Sequence, residues 1–345
     1  MPEMQASVAG YKAVARLYNA LMTGLVLSLV AHEGTEAARR FVFAHFRRQH
    51  LEKFLPGLKK LGLDKLSDAV ACAQYHYFSN ALGGVKTEYV FESDRKAWVR
   101  YPPPRWIWQG TAVCAIPSVV NEAMLHGWHG HNGVSLGNPR LGFVCTGQTP
   151  NGDPGLEGYY FEYDREIAPE ERVRFVRDEY MPRFDRAKAP RLDVADWPEE
   201  RLRKVERSYA MEYVRSLLPV TQELFGVDDS ARIVGRAARL IGLQFYEETA
   251  AMLGAAGEGT PEFARYLAAL MTAQGEQAEA RGGEVVQQGW KLMQGVPVAD
   301  PDAAFRAWNG LWEGALAAHN RFLRLDVERS ADRTIWRISG PTGHN

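Results

Sequence analysis

The chain has 345 residues, 46% hydrophobic and 24% charged, with a formal net charge of −1. That length supports two ordinary domains or one large core, and balanced charge without a basic stripe argues against nucleic acid or an anionic membrane surface as partner. Three cysteines, Cys72, Cys114 and Cys145, form no even disulfide framework and point to a reduced, cytoplasmic setting.

Residues 6–31 are helical in period and largely apolar. The run 17–32 carries no Lys, Arg, Asp or Glu, but it is short for a membrane span and lacks a small-x-small cleavage pattern, so it reads as a buried helix. A more amphipathic helix over 33–55 ends at Pro56 or Gly57, and another over 64–82 ends at Gly83-Gly84. Residues 85–91 and 97–101 form a hairpin across a polar turn, stopped by Pro102-Pro103-Pro104.

Next comes the stretch that carries the most chemistry. A strand over 113–116 runs into a helix bearing Glu122, His126 and His129, then a loop with His131, Asn132 and Gly133. Strands over 141–145 and 159–163 flank the turn Asn151-Gly152-Asp153-Pro154. Residues 169–199, charged and punctuated by proline, read as a connection. Helices are predicted over 200–218, 230–253, 260–281 and 302–320, then short strands over 322–327 and 334–338.

The fold class expected is helix-rich α/β (α+β): a first half over 1–175, a connector over 176–199 and a degenerate second half over 200–345. The halves look repeated. Phe46 onto Phe245 is an offset of 199, which also carries Gly83-Gly84 onto Gly282-Gly283 and Arg40 onto Arg239. The His-Asn steps His131-Asn132 and His319-Asn320 match at 188. A tandem duplication would pack the halves about a pseudo-twofold axis. At the positions of Glu122, His126 and His129 the second half then has Gly310, Gly314 and Ala317, which places the chemistry in the first half.

Glu122, His126 and His129 at i, i+4, i+7 share a helix face and form a candidate ligand set for zinc or iron, with positions open for water or substrate. His131 joins them or acts as a base, because imidazole titrates near neutrality. The bland alternative is histidines hydrogen-bonded at a helix end. Trp106, Trp108 and Trp128 are candidate substrate-binding walls, with Asn132 and His76 as candidate polar contacts. Cys114 at a strand-to-helix junction is more often a small core residue than a nucleophile, and Cys72 and Cys145 read as core. No P-loop or dinucleotide fingerprint follows any predicted strand.

The run Gly137-Asn138-Pro139-Arg140-Leu141, then Phe143 and Gly152-Asp153, resembles the closing segment of the L-2-amino-thiazoline-4-carboxylic acid hydrolase-like family. The likeness spans about residues 35–165. It implies an α/β domain with a pocket for a small organic molecule and hydrolytic chemistry. Family members carry cysteines on the helix before Asn-Pro and after Gly-Asp; here that helix carries histidines and 154–160 has no cysteine, so no catalytic residue is carried over.

The leading expectation is an enzyme acting on a small, partly aromatic organic molecule, with His126, His129, His131 and Glu122 at its polar centre. A water activated by histidine or a bound metal would attack. One alternative is a ligand-binding or sensory protein that breaks no bond. Another is a metal-dependent oxygenase using the two histidines and one glutamate. Neither a nucleic acid nor a membrane is expected as partner; a homo-oligomer is left open.

Overall fold

The computed structural model describes residues 7–104, 107–192 and 197–340. Its chain divides into two compact units, and the division differs from that read along the sequence: 29–197 form a central unit, while residues up to Ser28 go with Pro198 onward in a terminal unit. The architecture is helix-rich α+β, as expected.

The central unit contains α2 (Thr35–Lys60), α3 (Asp68–Leu82), the hairpin β1 (Glu88–Ser93) and β2 (Lys96–Tyr101), α4 (Ser118–Gly127), α5 (Asn132–Leu136), β3 (Leu141–Gly147), β4 (Leu156–Glu162) and β5 (Val173–Phe175). Its sheet runs β1-β2-β4-β3-β5, with β5 parallel to β3 and the other pairs antiparallel. The terminal unit takes most of α1 (Val8–His32), then α6 (Glu199–Phe225), α7 (Val227–Leu253), α8 (Thr260–Ala273), β6 (Gln277–Arg281), β7 (Glu284–Gln288), α9 (Pro301–His319), β8 (Arg324–Arg329) and β9 (Arg333–Ser339). Its sheet is antiparallel, in the order β6-β7-β9-β8. Among the described residues, α1 alone is long and apolar enough to cross a membrane, yet it is a core helix with Leu17, Leu21, Leu25 and Leu29 all buried.

Several predicted elements are corrected. Pro56 lies inside α2, because the carbonyl it leaves unpaired one turn earlier belongs to solvent-exposed Glu52. Pro219 likewise lies inside α6, where its buried neighbours hold the helix to Phe225. The helix expected over 260–281 stops at Ala273, since Gly275 (φ +97°) turns the chain, and Gln277–Arg281 pairs with β7 as a strand. Cross-strand pairing overrides the helical preference of Gln-Ala-Glu-Ala-Arg. The strand expected over 113–116 is a short 3-10 helix, Gly110–Ala115, which leaves Cys114 exposed. Part of the connector is β5.

One topology recurs in both units: three helices or parts of them, a hairpin, a helix and a second hairpin, with sheet order first-second-fourth-third. The local geometry sets the correspondence. Gly34 and Gly226 precede α2 and α7 with φ of 90° and 82°, an offset of 192. Gly84 and Gly275 close α3 and α8 with the same pair of hydrogen bonds, three and five residues back, an offset of 191. Gly127 of α4 lies against the Phe43 carbonyl of α2 and Gly310 of α9 against the Gly235 carbonyl of α7, an offset of 183. The offset of 199 is therefore two helical turns out of step. Gly282-Gly283 turn a hairpin, whereas Gly83-Gly84 end a helix. At an offset of 183 the position of His131 falls on Gly314, and neither Asn320 nor Ala317 falls at a histidine's place.

Candidate functional site

Four elements of the central unit bring its rings together. On α3, Cys72, Tyr75 and His76 share a face at i, i+3 and i+4; on α2, Arg47, His50 and Phe54 do so at i, i+3 and i+7. The crossing of α4 on α2 is so close that a Cβ on Gly127 would stand 2.5 Å from the Phe43 oxygen. Past that glycine α4 gives way to a 3-10 turn, and the tightened segment presents Trp128, His129, His131 and Asn132 together. Strands β3 and β4 add Phe143 and Tyr160 from one face of the sheet.

At the centre the His76 and His129 rings stack with centroids 4.1 Å apart and planes 9° from parallel. Tyr160 lies parallel to both, at 5.9 and 5.7 Å. Trp128 meets His76 edge-on at 5.9 Å and His50 at 5.6 Å. His76, His129 and Tyr160 are buried.

Hydrogen bonds give the cluster a direction. The Arg47 guanidinium, which only donates, reaches Nδ1 of His50 at 2.7 Å, so the His50 proton sits on Nε2. Asn132 Nδ2 donates to the Tyr160 hydroxyl at 2.9 Å, and that hydroxyl is 2.6 Å from Nδ1 of His129. With its oxygen accepting from Asn132, Tyr160 gives its proton to His129, whose own N–H is then Nε2. Four buried atoms in the cluster make no hydrogen bond of standard geometry: His50 Nε2, His76 Nε2, Trp128 Nε1 and Asn132 Oδ1. Asn132 does lie near enough to His50 and Cys72 to offset part of what burial does to each.

Burial dominates the ionisation. It pulls His76 down to about 3, helped by His50, and pulls His50 down to about 3, helped by Arg47 and His131. It pushes the Cys72 thiol up. His76 is therefore neutral at ordinary pH.

The predicted residues divide. His129, His76, Asn132 and Trp128 meet in this cluster, with His131 at its edge, 6.3 Å from His50 ring to ring. The Nδ1 of His131 faces the carbonyl of His126 at 2.8 Å. His126 itself is half-buried and turned to Phe175, 6.0 Å away. Glu122 accepts from Gln148 at 3.2 Å, and Gln148 accepts from Asn121, which accepts from Trp108. Trp108 thus anchors a separate amide network and is no wall of the histidine cluster. Trp106 lies outside the described residues. The metal set Glu122, His126 and His129 is not assembled, and no group of three His, Cys, Asp or Glu suited to a metal occurs among the described residues. His129 is committed to Tyr160, while Glu122 belongs to the amide network. The two-histidine, one-carboxylate oxygenase loses its ligand set with it.

No protein-family model, curated protein or solved structure matches this chain. Within the chain, the terminal unit shares the sheet order of the central one. By the offsets above, the terminal unit has Gly242 for His50, Phe263 for Cys72, Leu267 for His76, Leu311 for Trp128, Trp312 for His129 and Ala315 for Asn132; strand register adds Trp336 for Tyr160, since Ala97 faces Tyr160 as Val285 faces Trp336. Phe263, Leu267, Leu311, Trp312, Ala315 and Trp336 are all buried. The terminal unit thus carries mostly apolar side chains at these positions, with the Trp336 indole donating to Asn309 and the Trp312 indole N–H buried without a partner.

Sequence reasoning missed His50, Tyr160, Arg47 and Cys72. Tyr160 stood in a predicted strand, and only the pairing of β3 with β4 brings it to His129. His50 did carry a signal: it is the histidine a heptad before Gly57 on the helix face that holds Phe46 and Phe54.

Proposed function

We propose that the protein is an enzyme acting on a small, partly aromatic organic molecule in a water-mediated, hydrolytic step at the His76–His129 cluster. The observation that carries the reading is that His76 Nε2 and Trp128 Nε1, on side chains in contact, are buried without partners, beside His50 Nε2 and Asn132 Oδ1, which make no hydrogen bond of standard geometry. Each costs about 1–3 kcal/mol when left without a partner. The terminal unit builds the same sheet order with no imidazole at the matching positions, although its Trp312 indole N–H is likewise buried without a partner. A guest offering polar atoms and a flat face satisfies them among Tyr75, Trp128 and Tyr101.

Neutral imidazole keeps a lone pair for the proton of an attacking water. His76, whose Nε2 is uncommitted, is the base in this scheme; His129, turned by Tyr160 and Asn132, presents an N–H that steadies a developing negative charge on oxygen. Arg47 sets the proton position of His50 in the same way. No step runs through a metal. The resemblance to a hydrolase-like family, the reduced cytoplasmic setting and descent of the two units from a tandem duplication belong to the same proposal. The non-catalytic binding protein shares the first half of it and differs in breaking no bond.

The test uses His76→Leu and His129→Leu, with 4-nitrophenyl acetate as a generic ester probe. Turnover falls by roughly 100-fold or more in both while the fold persists. Variants that keep the wild-type rate sink the catalytic reading. Binding of aromatic probes that survives without any turnover in the wild type moves the protein to the binding class.

A further inference from the structure

The terminal unit contains a cleft of about 560 Å3 between the open end of its sheet and the irregular segment 290–298. Gly275 and Glu276 lie at its rim where β6 begins, Gln288 and Gly289 where β7 ends, and Arg329 where β8 ends. The size is that of a small-molecule site.

The wall is held more firmly than a surface loop requires. The buried Glu276 carboxylate accepts the main-chain N–H groups of Lys291 at 2.9 Å and Leu292 at 2.8 Å. From the other side the Arg215 guanidinium donates to the carbonyls of Leu292 and Gln294. Two charged side chains thus fix both edges of one backbone turn. Trp290 is fixed as well, with its ring 5.2 Å from Phe305, 5.4 Å from Trp308 and under the Arg329 guanidinium at 5.5 Å. Its indole N–H is buried without a partner.

The charges in this wall are mostly spent. Arg329 pairs with Asp302, and Glu276 is held by main-chain N–H groups. Selection of a ligand falls to the amides of Gln277, Gln288 and Gln294, which donate and accept alike, beside a tryptophan and the apolar edges of Val296 and Val298. The remaining charge, the Lys291 ammonium, is exposed at the rim, where water screens its pull on an anion. A molecule with many hydroxyls and one apolar C–H face gains hydrogen bonds from the amides and contact from the indole. We infer that this cleft is a binding site for a small neutral carbohydrate, a mono- or disaccharide, separate from the histidine cluster of the central unit.

Saturation-transfer NMR on the full chain tests this, with the methyl glycosides of glucose, galactose and mannose, N-acetylglucosamine, and benzoate and inorganic phosphate as contrasts. At least one sugar shows saturable transfer at about 10 mM, in the weak range expected of a small neutral ligand. Trp290→Leu abolishes it. Because Trp290 also packs on Trp308, the paired variant Gln288→Leu/Gln294→Leu decides the matter: it keeps the wild-type circular dichroism and weakens sugar binding about tenfold or more. No transfer to any sugar, binding indifferent to the two glutamines, or binding of benzoate or phosphate alone each overturns the assignment. His76→Leu leaves the sugar signal intact, so failure here and failure of the hydrolytic reading remain distinct.

Discussion

The two units solve one packing problem with opposite interiors. In the terminal unit α7 and α9 meet backbone to backbone: a Cβ on Gly242 would stand 1.9 Å from the Leu311 oxygen, and one on Gly314 1.9 Å from the Arg239 oxygen. Between α2 and α4 of the central unit, the approach is made at Gly127. Beyond it α4 breaks, and His50 occupies the space that Gly242 leaves empty. The comparison teaches that this topology closes without any imidazole at the matching positions, on aliphatic side chains and tryptophans. A central unit that keeps buried, unsatisfied imidazoles does so at a cost in stability, the pattern expected where function constrains a core.

The largest expected effect breaks the closed side. Gly242→Ala forces apart two helices whose backbones touch and costs on the order of 3 kcal/mol or more, read by denaturant unfolding. Gly127→Ala, whose Cβ would meet the Phe43 oxygen at 2.5 Å, costs less. Equal losses would mean that the two helix pairs pack alike after all.

Acid separates the units next. Burial holds His45, His50 and His76 at about 3, far below the ordinary value near 6.5. The unfolded chain binds their protons first, so their stabilising share is whole above pH 6.5 and is lost as pH falls from there towards 3. Stability of the central unit therefore falls steadily across that window. Amide exchange at pH 4.5 against pH 7.5 should show α2 and α3 opening well before α7 and α8. A central unit whose protection is flat across that range contradicts the neutral, buried imidazoles.

Much of this was legible in the chain, for reasons that also mark the limits. Long apolar periods named the helices, and proline and glycine placed most of their ends. Gln277–Arg281 defeated the reading because its partner strand lies beyond the turn and outweighs local preference. Seven residues are close to two helical turns, so the offset of 199 laid one amphipathic face on another and looked as good as 192. The cluster was half visible. His129, His131 and Asn132 announced themselves by density, whereas His50 and Tyr160 lie 79 residues before and 31 after His129 and meet it only through helix crossing and strand pairing. The metal set failed because a shared helix face on paper becomes divergent side chains once α4 breaks at Gly127.

A smaller effect sharpens the comparison by moving one unit towards the other. His76→Leu copies Leu267 of the terminal unit, has nearly the same volume and removes a buried nitrogen that has no partner. Melting temperature should rise, by the equivalent of about 1 kcal/mol, even as turnover falls. A destabilised variant would show that a hydrogen bond or a water already satisfies His76, and the functional reading of the unsatisfied atoms would lose its footing.

A comparable effect is the most local. Tyr160→Phe deletes the hydroxyl between Asn132 and His129 while leaving the ring stack in place, and costs about 1–2 kcal/mol because it strands two buried partners. Its sharper readout is the proton on His129. With Tyr160 donating to Nδ1, nitrogen-15 spectra of the wild type show His129 as the Nε2–H tautomer. Without that donor the preference weakens, and the two ring nitrogens shift towards averaged values. His50, fixed separately by Arg47 at 2.7 Å, keeps its tautomer in this variant and changes only in Arg47→Met. If His129 holds the Nε2–H form in Tyr160→Phe, some other group orients it, and the direction of proton flow drawn from Asn132 through Tyr160 is wrong even if the cluster is the site.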